Sequence, residues 1–392
     1  MNNNIKGIPN LRFREFRGTK SWEEKPLSQI AKYENGKAHE KDITELGKFI
    51  VVNSKFISTD GEIKKFTNIA FCIAKKEDIL IVLSDVPKGR AIAKCFFVDA
   101  DNLYTVNQRI CKLTPNNTVN MLLFYILNRN PYFLAFDDGV KQTNLKKEDV
   151  LNCPVLLPIR ISEQQKIADC LSSLDDLIGT EIEKLGGLKA HKKGLLQQLF
   201  PAEDKIMPQL RFPEFENDDD WREKSMSKIL DYEQPNKYIV SNTNYLDEGT
   251  PVLTANKRFL LGYTDEKEGI YENVPVIIFD DFTVDKKYVN FPFKIKSSAI
   301  KILKAKSDDN LKFMFELMTQ IKFEAVQHKR YYISAYQNLL IRIPDVSEQQ
   351  KIVNCLTSID ELIIFQNQKV KLLKEHKKGL MQQLFPNKEG NI

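Results

Sequence analysis

The sequence is poor in the residues on which metal-built and disulfide-built folds depend. Among 392 residues there are six cysteines and four histidines. Cys72, Cys95, Cys111, Cys153, Cys170 and Cys355 are scattered, with no Cys-x-x-Cys pair. That argues against a zinc site or a disulfide framework and fits a reducing cytoplasm. Long apolar runs are also missing. Val274–Phe279 and Ile79–Leu83 are strand-length and too short to span a bilayer, so no membrane association is expected. The polar start Met1-Asn2-Asn3-Asn4 has no apolar core of a signal peptide, and a cytoplasmic location is expected. No Gly-x-x-x-x-Gly-Lys-[Ser/Thr] and no Gly-x-Gly occurs, which removes the usual nucleotide and adenosylmethionine loops. Asp137-Asp138 and Asp280-Asp281 are adjacent pairs without a neighbouring Glu-x-Lys, so they make no nuclease metal site. No catalytic residue, no metal and no bound cofactor are therefore assigned to this chain.

The net charge of +5 is mild and permits nucleic-acid binding without arguing for it. An apolar content of 42% supports packed cores, and the length suits two or three domains.

What is present is a duplication. Ser162 to Pro201 and Ser347 to Pro386 agree at roughly 25 of about 40 positions. Pro9–Phe16 (PNLRFREF) likewise matches Pro208–Phe215 (PQLRFPEF), and each is followed by a Trp-led stretch from Trp22 or Trp221. The period is about half the chain, so this is a tandem duplication rather than a solenoid. The segments between, roughly 31–161 and 230–346, look unlike each other.

Each repeated segment opens on Ser-Glu-Gln-Gln, close to a capping box in which Ser162 faces Gln165 and Ser347 faces Gln350. Residues then follow a 4,3 spacing: Ile167, Leu171, Leu174, Ile178, Glu181 and Leu185 in one copy; Ile352, Leu356, Ile359, Ile363, Gln366 and Val370 in the other. This is the seam of a coiled coil over about five heptads. Two such helices in one chain most simply pair with each other, antiparallel about a local two-fold; the alternative is two separate amphipathic helices, each packed on its own domain. Glu181 and Gln366 are then either a polar match that fixes register or an exposed gap in an imperfect stripe.

The unlike segments mix short strands with one helix each. Phe49–Asn53, Ile79–Leu83, Ala91–Val98, Val274–Phe279, Ala299–Leu303 and the returning Val155–Leu157 and Leu339–Ile343 read as strands. Val119–Asn128, stopped by Pro131, and Leu311–Gln327 read as helices. Polar loops follow the helices: Lys141, Gln142, Thr143 and Asn144 in one; Lys329, Arg330, Tyr331 and Tyr332 in the other. Lys88, Arg90, Asn256, Lys257 and Arg258 sit in similar turn-like stretches. Lys and Arg suit phosphates and guanine edges, Gln and Asn suit adenine, and Tyr can stack or meet a thymine methyl. A polar loop after a helix is also commonly just solvated.

The whole pattern resembles the specificity (S) subunit family of type I restriction-modification systems. The motifs that carry it are Leu-Arg-Phe-x-Glu-Phe…Trp and the repeated Ser-Glu-Gln-Gln-Lys-Ile helix ending in Lys-Gly-Leu-[Leu/Met]-Gln-Gln-Leu-Phe-Pro. The resemblance implies an α+β chain. Two mixed target recognition domains (1–160 and 202–345) are separated by an antiparallel pair of long helices (161–201 and 346–387), with a short tail (388–392) and a pseudo-two-fold internal repeat. It implies double-stranded DNA, two modification (methyltransferase) subunits and restriction/motor subunits as partners. Adenosylmethionine, ATP and magnesium are then expected on the partners. Asn130-Pro131-Tyr132-Phe133 is similar to the adenine-methyltransferase Asn-Pro-Pro-Tyr/Phe motif but lacks its second proline. Alternatives are a non-catalytic coiled-coil scaffold that binds proteins, and a targeting subunit of another restriction type.

Overall fold

The computed structural model describes residues 8–86, 89–203, 205–256, 258–325 and 329–386. The chain divides into two compact units, residues 1–181 with 369–392, and residues 182–368. Both divisions fall inside long helices, Ile161–Leu199 and Val346–Leu384, so each unit holds part of each helix.

The first unit is built on a four-stranded antiparallel sheet ordered Ala31–Asn35, Ile110–Pro115, Ile79–Val82, Cys95–Phe97. The strand Ile79–Val82 is buried on both faces. Ile79 and Ile81 enter one core, while Leu80 and Val82 enter another. Alternate strand residues point to opposite faces, so an unbroken apolar run is what a doubly covered strand requires. A second sheet runs Ile43–Thr44, Phe66–Thr67, Phe49–Val52, Tyr104–Val106, its last pair parallel. A ribbon of Glu23–Pro26 and Pro154–Leu157 leads into the long helix.

The second unit repeats this plan with other residues. Its antiparallel sheet is ordered Leu230–Glu233, Ile300–Ala305, Val276–Asp280, Lys286–Val289. Ile277 and Phe279 face one core; Val276 and Ile278 face the other. Leu260–Thr264, Thr250–Leu253 and Lys294–Ile295 form the second sheet, again ending in a parallel pair. The ribbon is Arg222–Ser225 with Leu340–Ile343.

Several expectations shift. Ala91–Val98 is a strand only over Cys95–Phe97, because the Ala91 and Ile92 amides turn onto the Asp85 carboxylate and Ala93 takes φ 56°. Pro131 does not merely stop a helix. Asn120–Leu127 ends first, and Pro131 opens a short helix, Pro131–Leu134, capped by Asn130. The Asn-Pro-Tyr-Phe resemblance is thus a helix cap, with Asn130 Oδ1 accepting from the Tyr132 amide. The helix expected over Leu311–Gln327 ends at Gln320. Phe323 instead packs edge-on against Tyr331 at 5.4 Å and lies 5.5 Å from Tyr336; Gln327 lies outside the described residues. The capping boxes do not form either. The helices begin at Ile161 and Val346, and Gln165 and Gln350 donate forward to Asp169 and Asn354.

The repeated residues build the same frame in each unit. Arg12 grips Glu163 through two hydrogen bonds, Nε–Oε1 at 2.7 Å and Nη2–Oε2 at 2.8 Å. Arg211 grips Glu348 in the same fork, at 2.9 and 2.8 Å. Gln164 accepts from the Thr118 hydroxyl and the Val119 amide and donates to the Pro158 carbonyl. Gln349 accepts from the Asn310 amide and donates to Asp309 and to the Pro344 carbonyl. Trp22 meets Phe385 edge-on, and Trp221 meets Phe200.

The seam lies inward. Ile167, Leu171, Ile178, Glu181, Leu185, Ile352, Leu356, Ile359, Gln366 and Val370 are buried, and Leu174 and Ile363 are half-buried. Glu181 and Gln366 are therefore not an exposed gap; Glu181 accepts from Lys369 Nζ at 2.6 Å. In the first unit, Ile167 and Leu171 share a core with Leu384 and Leu380, and Lys377 pairs with Asp175. Contacts that advance along one helix retreat along the other, so the two run in opposite directions there. In the second unit, Leu199 shares a core with Ile352, Val353 and Leu356, and Lys192 pairs with Asp360 at 2.7 Å.

Among the described residues no helix is long and apolar enough to cross a membrane, and no group of three or more His, Cys, Asp or Glu is placed to hold a metal ion.

The Arg12–Glu163 pair is almost wholly buried, at 8% and 1% side-chain exposure. Removing one partner leaves a desolvated charge, which costs about 3–5 kcal/mol, whereas an apolar pair of similar volume is near neutral. Glu163→Ala is expected to lower the urea midpoint sharply. Arg12→Met with Glu163→Leu is expected to recover most of the loss; equal losses in the two variants would refute this account.

Candidate nucleic-acid interface

In the first unit the residues singled out from two distant loops come together. A short ladder pairs Thr143 with Asp85 and Asn144 with Ser84. It brings the loop 137–144 beside the turn that follows the strand Ile79–Val82. The turn folds on the Asp85 carboxylate, which accepts from the amides of Val86, Ala91 and Ile92. Gly89 is needed there, since a Cβ would stand 2.1 Å from an Asp85 oxygen. Arg129 braces the turn by donating to the Arg90 and Ile92 carbonyls.

The loop is pinned in the same manner. Asp137 accepts from the Gly139 amide and the Thr143 hydroxyl. Asp138 accepts from the Val140 and Lys141 amides, which hold its carboxyl below the usual range. Arg90, Lys141, Gln142 and Asn144 are exposed on this support, and Gln142 also donates to Ser84 at 2.7 Å. Thr143 is buried, bound to Asp137, and serves the loop rather than a ligand. Lys88 lies outside the described residues.

In the second unit Lys329 and Arg330 are exposed, with the Arg330 guanidinium 5.9 Å from the centre of the Phe282 ring. Tyr331 and Tyr332 do not fit a base-contacting role. They are 4% and 0% exposed, inside the core. Their amides donate to the Asp281 carbonyl and carboxylate, so the backbone there is committed to the fold. Asn256 and Arg258 are exposed between the strands Thr250–Leu253 and Leu260–Thr264; Lys257 lies outside the described residues.

Beneath the Arg330 loop sits a buried polar pair. Asp281 and Lys301 are each 1% exposed and 3.6 Å apart, and Lys301 donates to Gln234. Burial lowers the Lys301 pKa against the pull of Asp281. Burial also brings Lys286 down to about 8, beside the Tyr336 hydroxyl at 3.3 Å.

Asp85 and Arg129 were not singled out from the sequence, and Asp280 was weighed only as half of an acidic pair, not as the anchor of a turn. One signal was legible: in both halves an acidic residue closes the most apolar strand, in ILIVLSD and VIIFDD. Asp280 uses it as Asp85 does, its carboxylate accepting from the Phe282 and Thr283 amides.

Residues 19–189 match the family model of the Type I restriction modification DNA specificity domain. The specificity subunit of the type I restriction enzyme EcoR124I/EcoR124II of Escherichia coli is 39% identical over 182 residues, 43% of this chain and 45% of that protein. The match therefore spans less than half the length of that relative. The type I restriction enzyme MjaVIII specificity subunit of Methanocaldococcus jannaschii is 24% identical over an alignment of 420 residues, covering 96% of this chain and 95% of that one. Residues 19–189 are thus similar to a type I restriction-modification DNA specificity domain, and both relatives are specificity subunits. The fold of the chain is also that of a solved S subunit from M. genitalium, with a TM-score of 0.65 at 15% identity, covering 97% of this chain and 99% of that one.

The polar residues of the two units divide by burial. Trp22, Glu163 and Gln164 and their counterparts Trp221, Glu348 and Gln349 are buried in both units, with Arg12 and Arg211 partly buried beside them. Arg90, Lys141, Gln142, Asn144, Lys329 and Arg330 are exposed and differ between units.

The depressed Lys286 pKa has a sign that can be tested. Between about pH 8 and 10 the unfolded chain binds this proton and the folded chain does not, so stability rises with pH across that window. Lys286→Met is expected to stabilise the second unit at pH 7, with the advantage shrinking toward pH 10. A constant advantage across the range would refute a charge-burial cost.

Proposed function

We propose that this chain is the DNA-reading subunit of a type I restriction-modification complex, each unit reading one half of a split, asymmetric site. The observation that carries the reading is the duplicated frame. Two units share strand order, register and Arg–Glu forks, while their exposed loops differ. Selection for two different targets on one scaffold produces that pattern, whereas a protein-binding scaffold with no target has no need of it.

Under this reading the chain does no chemistry. Two modification subunits dock on the helix pair, methylate an adenine flipped out of the duplex, and bring adenosylmethionine; restriction subunits bring ATP and magnesium. The helices act as an antiparallel coiled-coil spacer about a pseudo-two-fold axis. Each has 39 residues and so rises about 58 Å, against about 34–36 Å for one DNA turn. With the ends used in docking, the half-sites are centred a little over one turn apart.

Sequencing methylated adenines in DNA exposed to the assembled complex is expected to return a bipartite, non-palindromic motif. A single contiguous or palindromic motif would overturn the reading. Deleting four aligned residues from both helices shortens each by about 6 Å. The tolerated gap is expected to shrink by one or two base pairs, and an unchanged gap would remove the spacer role.

A further inference from the structure

The two units align through their hydrogen bonds, without reference to their dissimilar residues. In the first, the Leu83 amide donates to the Arg109 carbonyl and the Leu145 amide donates to the Leu83 carbonyl, at 2.9 and 2.8 Å. In the second, the Asp281 amide donates to Ala299 and the Tyr331 amide donates to Asp281, both at 2.8 Å. Leu83 thus corresponds to Asp281, and Leu145 to Tyr331. The turn after Leu83 corresponds to the turn after Asp281. Lys141–Asn144 and Lys329–Arg330 occupy the same place, beside that turn.

Both turns are folded on a carboxylate from the end of the central strand, Asp85 in one and Asp280 in the other. What the turns carry outward differs. Val86 and Arg90 are exposed in the first; Thr283 and Asp285 are exposed in the second, with Phe282 beneath Arg330.

The same alignment separates the other candidate loop. The Lys296 amide donates to Leu253 as the Asn107 amide donates to Val52. Asn256 and Arg258 therefore fall where the first unit has the helix Ser54–Ser58, and they have no counterpart loop.

We propose that the turn after the central strand and the loop beside it form one read-out element in each unit, and that Thr283 and Asp285 are specificity-determining residues of the second. This rests on the DNA-reading function proposed above. Position is retained while side-chain chemistry changes, as an element that spells different targets requires. Asp285 can accept from a cytosine amino group, a threonine hydroxyl can pair with several base edges, and Arg330 can grip a guanine. A turn already folded on its own carboxylate has little freedom left to lose on binding.

The test is binding-site selection from a random DNA library by the full chain assembled with its modification subunits. It compares the unchanged chain with Asp285→Ala, Thr283→Ala and Asn256→Ala. Expected is a roughly tenfold loss of base preference at one or two positions of a single half-site for Asp285→Ala or Thr283→Ala. The other half-site is expected to stay unchanged, which also reports an intact fold, and Asn256→Ala is expected to keep both halves. An unchanged motif for both turn variants, or weaker binding with no change in preference, would overturn the assignment while leaving the DNA-reading function in place. An unchanged chain that selects no sequence would overturn that function and this inference together.

Discussion

The fork between an arginine of the opening motif and a glutamate at the start of a long helix is the contact on which each unit depends. Arg12 and Glu163 stand 151 residues apart, and Arg211 and Glu348 stand 137 apart. The ring between them contains the whole sheet pair. A bidentate guanidinium–carboxylate contact fixes both distance and plane. It therefore sets the angle at which the helix leaves the β structure, and in the first unit the Trp22 indole donates to Glu163 at 3.4 Å.

With that joint fixed, the interior can change freely. The glutamine after each glutamate ties the helix start to the recognition segment through backbone groups, Val119 and Pro158 in one unit, Asn310 and Pro344 in the other. Backbone amides and carbonyls exist whatever the side chains are. This explains how one frame holds two cores with different fillings: Leu83 and Cys111 in one place, the buried Asp281 and Lys301 in the other. A buried charge pair adds little stability. Its visible use is to hold the Tyr332 amide, and so the chain that carries Arg330.

Two families of polar residues emerge, distinguished by burial rather than by type. Thr143, Tyr331 and Tyr332 have side chains that suit DNA, yet they are spent on the fold. Lys141 and Arg330 sit one or two residues away from such anchors and remain exposed. Exposed polar residues thus neighbour anchored ones, on a backbone held by hydrogen bonds.

The duplication, the long helices with their seam, and the apolar central strands were legible in the sequence, because each is a local regularity of identity or spacing. Ten of the twelve seam positions are buried and Leu174 and Ile363 are half-buried, since a period of 3.5 marks one helix face; that Glu181 and Gln366 lie on the buried side was left open by the sequence. The strand–helix content of the unlike segments was legible as well, but not its ends. Phe323 leaves its helix for an aromatic partner, and the Ala91 and Ile92 amides leave their strand for a carboxylate. Only the tertiary structure decided which polar residues face solvent and which distant loops meet. The pairing of Ser84–Asp85 with Thr143–Asn144 joins segments more than 50 residues apart through backbone hydrogen bonds. Such bonds leave no side-chain pattern in the sequence to read.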